Sequence, residues 1–187
     1  MHKYHLFETA HGYAAIGWNA HGVTSFRLPA PAAEEARRAL LRRLPDAVEA
    51  VPTGRVAAAV EMARRYFAGE RIDFADVPLD MGAQEPLFAR IYDLVRGLDY
   101  GETTTYGGVA KALGEGPEVA RDIGQAMAKN PIPLIVPCHR VLAAGGKIGG
   151  FSAPGGSNAK ARMLELEGTA PDSEAPVKST AQASFGF

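Results

Sequence analysis

The residues best suited to chemistry stand together in "NPIPLIVPCHRVLAAGGKIGGFS", residues 130–152, where the only cysteine of the chain, Cys138, is followed at once by His139 and Arg140. A thiolate is a strong nucleophile and a thiol a weak one, so a cysteine with a basic flank is a candidate for a reaction at sulfur. The competing reading is a small buried hydrophobe, the common fate of a lone cysteine. The cationic flank favours the nucleophile. So do Pro131, Pro133 and Pro137, which stiffen the approach and hold a thiol in place outside a regular strand. Gly145, Gly146, Gly149, Gly150, Gly155 and Gly156 follow closely, and residues without a Cβ let backbone approach a ligand. Successive residues of an extended chain point to opposite sides, so Cys138 and His139 need a water or a bend between them to exchange a proton.

These residues must be positioned by 187 residues carrying 20 basic and 21 acidic side chains, a net charge of -1. That balance excludes a protein held on polyanions by bulk charge. With one cysteine there is no internal disulfide and no multi-cysteine zinc site, which points to a reducing compartment, the cytoplasm. The opening "MHKYHLFETAHGYAAIGW" lacks the apolar run of a signal peptide, and no run of 18 apolar residues is present to span a membrane.

The first third reads as a meander: YHLFET (4–9), YAAIGWN (13–19) and VTSFRLP (23–29) are short β-type runs. Gly12 and Gly22 end two AHG triplets between them and offer the positive φ of hairpin turns. "AAEEARRALLRRL" predicts a helix stopped by Pro45, and "TGRVAAAVEMARRYFAGE" a second one capped by Thr53. "RIDFADVPLDM" (71–81) reads as a last strand. Residues 1–82 are therefore expected to form a small α/β domain. In residues 83–168 "EPLFARIYDLVRGL" starts a helix at Pro86, "TTTYGGVAKALGEG" holds a short helix ended by Gly114, and "GPEVARDIGQAMAKN" opens at Pro117. The last two suggest a helix-turn-helix. Residues 145–156 read as a hairpin or wing, and "SNAKARMLELEG" as a closing helix capped by Ser157. The tail 169–187 has little to bury and reads as disordered.

The second half resembles the O6-alkylguanine-DNA alkyltransferases, the methylated-DNA–protein-cysteine methyltransferase family. "TTTYGGVA", "ARDIGQAM", "NPIPLIVPCHRV", "GGFS" and "KARMLELEG" occur in the family's order and near its spacing. The resemblance implies an α+β protein: an N-terminal antiparallel sheet with helices, ribonuclease H-like, and a mostly helical, winged helix-turn-helix-like C-terminal domain. It implies irreversible transfer of an alkyl group from O6-alkylguanine, with O4-alkylthymine left open as a second substrate, in double-stranded DNA to Cys138, once per molecule. His139 would take the thiol proton through a water, Glu167 would orient His139, and Asn130 would brace the turn. Tyr106 would assist the leaving O6. Val141, Phe151 and Ser152 would line the base pocket. Arg121 would fill the gap left by the flipped nucleotide, beside the small surface of Ala120, Gly124 and Met127. Base flipping is needed because a thiol cannot reach a stacked base's O6 substituent. No metal or organic cofactor is required, and a monomer is expected.

Phe151 stands where many members have tyrosine, and "FSAPGGSNAK" is longer than the common form, which bears on the adducts that fit. Residues 84–168 carry nine basic and nine acidic side chains, so DNA binding must rest on a local patch of Arg121, Lys129, Arg140 and Lys147. Two other classes compete. A cysteine hydrolase or acyltransferase built on Cys138, His139 and Glu167 would turn over many times. A helix-turn-helix DNA-binding protein without chemistry would survive Cys138→Ser.

Overall fold

The computed structural model describes residues 1–148 and 156–169. The chain divides into two compact units, Met1–Ala83 with Pro131–Ile135, and Gln84–Asn130 with the described residues from Val136 on.

In the first unit β1 (Lys3–Thr9), β2 (Gly12–Trp18) and β3 (Val23–Ala30) form the predicted antiparallel meander. A two-residue strand that the sequence did not announce, β4 (Val48–Glu49), adds in parallel to β1, giving the order β3-β2-β1-β4. The alternation of strand side chains supplies two faces. Tyr4 and Ala15 pack on Ala36 and Leu40 of helix α1 (Ala33–Arg43). Phe7 meets Phe26 edge-on on the other face, and helix α2 (Gly54–Phe67) sends Arg64 over the Phe7 ring. Gly12 takes the positive φ, at 123°. Gly22 does not; a Cβ there would stand 2.6 Å from the Pro78 carbonyl oxygen, so its requirement is close approach.

Segment 71–81 is not a strand. It touches the sheet in a single bridge, Val23 to Leu79, with Val23 N–H on the Pro78 carbonyl at 2.9 Å. Asp73 and Asp80 accept the N–H of Ala75 and Gly82 at 2.8 and 3.0 Å. These local turns compete with a ladder while Ile72, Phe74 and Val77 still reach the core. Residues 131–135 complete this unit: Phe26 N–H donates to the Pro131 carbonyl at 3.0 Å, and Ile132, Leu134 and Ile135 are buried.

The second unit holds α3 (Pro86–Arg96), α4 (Tyr106–Ala112), α5 (Ala120–Lys129) and α6 (Ser157–Leu166), with β5 (Thr104–Thr105) parallel to β6 (Val141–Leu142). The chain is thus a mixed α and β protein. Thr105 caps α4 by accepting Gly108 N–H at 3.0 Å. Pro117 opens a 3-10 turn, Pro117–Val119, that leads into α5. The buried Tyr92 hydroxyl of α3 donates to the Ala126 carbonyl at 2.8 Å, locking α5 in place. Gly156, with φ 52°, precedes α6 where Ser157 was expected as cap. Most of the expected wing, and the tail from 170, lie outside the described residues.

Candidate active site

Asn130 ends α5, and from there the chain makes a proline-framed excursion before returning at Val136. Leu134 adopts φ 76°, a left-handed conformation that costs a branched residue energy and needs surrounding structure to hold it. The Asn130 side-chain amide closes the excursion by donating to the Val136 carbonyl at 2.8 Å. The chain then turns into a 3-10 helix, Cys138–Arg140. This supplies the bend that Cys138 and His139 need: Cys138 N–H bonds Val136 O at 2.8 Å and Arg140 N–H bonds Pro137 O at 2.9 Å.

Cys138 is buried at 3% exposure. Burial pushes its thiol pKa up, so the resting sulfur is a neutral thiol; the Asn130 side chain, the Lys160 charge and the backbone N–H groups of Cys138 and His139 pull the other way. Those same groups can receive a thiolate once it forms. Tyr106, half-buried at the start of α4, has its hydroxyl pKa raised by burial and by the neighbouring Cys138, which leaves it a neutral donor beside the sulfur.

Behind the thiol lies a closed polar cluster. His139 Nε2 and Glu167 Oε1 are 2.7 Å apart, both side chains shut off from solvent. Glu167 caps the end of α6. Arg140 grips it with two bonds, Nε to Oε2 and Nη2 to Oε1, each 2.9 Å, and sends Nη1 to the Leu98 carbonyl at 2.6 Å. Burial alone would raise the Glu167 pKa, but its bonds to His139 and Arg140 outweigh burial and hold the carboxyl well below the usual range. Burial lowers the His139 pKa despite Glu167, and the Arg140 and Lys160 charges push it the same way, so the imidazole rests uncharged. An ionised carboxylate can only accept, so Nε2 carries the hydrogen and Nδ1 is the basic nitrogen.

Residues 86–169 match the family described as 6-O-methylguanine DNA methyltransferase, DNA binding domain. Over 104 residues the chain is 43% identical to a methylated-DNA–protein-cysteine methyltransferase of Metallosphaera sedula, covering 56% of this chain and 62% of that relative, a little under two thirds of its length. A crystal structure of Mycobacterium tuberculosis O6-methylguanine methyltransferase superposes with a TM-score of 0.72 at 33% identity, covering 92% of this chain and 97% of that one. The chain belongs to the O6-methylguanine-DNA methyltransferase family. The chain is also 39% identical over 138 residues to a Thermus thermophilus DNA base-flipping protein, covering 74% of this chain and 80% of that relative.

Against this family background the structure brings Cys138, His139, Glu167, Asn130 and Tyr106 together, and Val141 lies buried beside them in β6. Phe151 and Ser152 lie outside the described residues. On α5, Arg121 is exposed, Ala120 and Gly124 half-buried, and Lys129 exposed with its ammonium 5.9 Å from the Phe88 ring centroid. Met127 is a correction: it is 8% exposed and packs inward with Ile123 and Ala126, because i and i+4 share a helix face. Arg140 is a second correction. It is 6% exposed, and its guanidinium is committed to Glu167 and Leu98, so it is no member of a surface patch. Lys160 went unnoticed in the sequence. It is 1% exposed, donates to the Val141 carbonyl at 2.7 Å, and has its pKa lowered by burial while Cys138 favours its charge. Its position on α6, about two turns before Glu167, looked like ordinary helix surface.

Proposed function

We propose that this chain repairs DNA by direct reversal: it takes the alkyl group of O6-alkylguanine onto Cys138 in a single irreversible transfer. The observation that carries this reading is the buried row Cys138, His139, Glu167, closed at its far end by Arg140 and flanked by Tyr106. His139 Nδ1 takes the thiol proton through a water. The sulfur attacks the alkyl carbon, the carbon–O6 bond breaks, and the electron pair leaves on O6. The Tyr106 hydroxyl passes its proton to that oxygen and is restored by the proton taken from the thiol, so guanine departs as a neutral base. A new C–S bond makes a thioether, which no second cysteine can displace.

We read α4 and α5 as a winged helix-turn-helix and the first unit as ribonuclease H-like. In this reading α5 meets double-stranded DNA. Arg121 and Lys129 are exposed there, and a Cβ at Gly124 would meet nothing within 4 Å among the described residues, so its smallness serves no packing against them. A small residue there suits close approach to a groove, with the target nucleotide flipped toward Cys138. The protein would act as a monomer in the cytoplasm. Among the described residues no helix is long and apolar enough to cross a membrane.

The test is the intact mass of the protein after mixing with a duplex holding one O6-methylguanine, followed by peptide mapping. One methyl per chain on Cys138 is expected. A bound duplex with an unmodified thiol would make this a base-flipping recognition protein. No binding, with turnover of a small ester, would make it a hydrolase.

A further inference from the structure

A nucleophile, a base and an orienting carboxylate form a complete row, yet this row carries one more charged group than it needs. Glu167 Oε1 is shared between His139 Nε2 at 2.7 Å and Arg140 Nη2 at 2.9 Å. Oε2 takes Arg140 Nε at 2.9 Å and Gly101 N–H at 3.2 Å. The Arg140 guanidinium also lies 5.9 Å from the Tyr100 ring centroid, and Nη1 holds the Leu98 carbonyl at 2.6 Å. An arginine with these contacts has no reach left for DNA.

Its charge has a consequence for the histidine. A buried carboxylate paired with an imidazole alone draws a proton onto the imidazole, because two opposite charges close together are better than one bare anion. An imidazolium cannot accept a thiol proton. The charged groups acting on His139 are Arg140 from its own turn, Lys160 from α6 and Glu167 at the end of that helix. Of these only Glu167 favours the charged ring, and Arg140 already balances Glu167.

We infer that Arg140 is a positioning residue for the proposed alkyl transfer: clamped on both Glu167 oxygens, it takes up that carboxylate's charge and leaves His139 as the uncharged base that Cys138 needs. The inference rests on the alkyl-transfer reading for its purpose. Its electrostatic content can be measured separately, on the ring of His139.

The experiment compares the native protein with Arg140→Met and Arg140→Lys. Ring-nitrogen NMR follows His139 protonation between about pH 5 and 8, and single-turnover methylation of Cys138 is timed over the same range. In Arg140→Met the His139 midpoint should rise by about one unit or more, a roughly tenfold change in proton affinity. The transfer deficit should then be about tenfold larger at the acid end than at the basic end. Arg140→Lys keeps the charge but loses the fork, so it should slow transfer while holding the midpoint near native. An unmoved midpoint in Arg140→Met, or a deficit equal at every pH, would overturn the inference and leave Arg140 a structural brace. If circular dichroism shows Arg140→Met unfolded, Arg140→Gln takes its place with the same expectation. If native protein transfers no methyl but the midpoint moves among the variants, the electrostatic role stands and the alkyl-transfer reading falls.

Discussion

At the scale of single residues the site is a set of groups whose charge states are fixed by burial and partners. Cys138→Ser is expected to keep the fold and duplex binding while abolishing methyl transfer, read by mass and by gel shift. Burial keeps His139 uncharged in the folded protein, so protons bind it better in the unfolded chain. A group whose folded pKa is lowered makes no demand above its unfolded value, near 6.5, and destabilises the fold as pH falls below it. Glu167, also lowered, contributes stability that is present above the ordinary carboxylate pKa, about 4.3, and is lost as pH falls further. Thermal melts should therefore soften from about pH 6.5 downward, and His139→Gln should remove the upper part of that slope. An unchanged slope in the variant would assign the effect elsewhere. Cys138 was legible in the sequence because proline, histidine and glycine surround it. The roles of Arg140 and Lys160 were not, because a cation's burial depends on what folds over it, and no local pattern records that.

At the scale of elements, the loop before the nucleophile and the helix α5 answer to different constraints. Asn130 bridges the loop, and Asn130→Ala would leave the buried Val136 carbonyl without that donor. The expected cost is about 1–3 kcal/mol of stability, measurable by urea unfolding, together with slower transfer as the thiol loses a facing amide. Gly124 has helical backbone and open space where a Cβ would go. Gly124→Ala should raise stability by about 1 kcal/mol through helix propensity while weakening duplex binding. Gain in both would mean that α5 does not approach DNA there. The meander, the helices and their proline starts were readable from periodicity and punctuation. Segment 71–81 was misread because Ile72, Phe74 and Val77 mimic a strand's spacing while aspartate turns dictate the backbone.

At the scale of the molecule, the balanced charge leaves few free cations for DNA. With Arg140 buried, the proposed patch reduces to Arg121, Lys129 and Lys147. Three phosphate contacts would give a log–log salt slope of about −3; a slope near that of a large repressor would show that further cations engage. The excursion of residues 131–135 into the first unit also orders events during synthesis. The N–H of Phe26 is made early, but its partner carbonyl at Pro131 lies 105 residues further on. A nascent chain can pair β1, β2 and the inner edge of β3 as soon as they emerge, while the outer edge at Phe26 waits. That delay leaves an unpaired strand edge available to other chains. Crowded synthesis should therefore favour aggregation before the loop arrives.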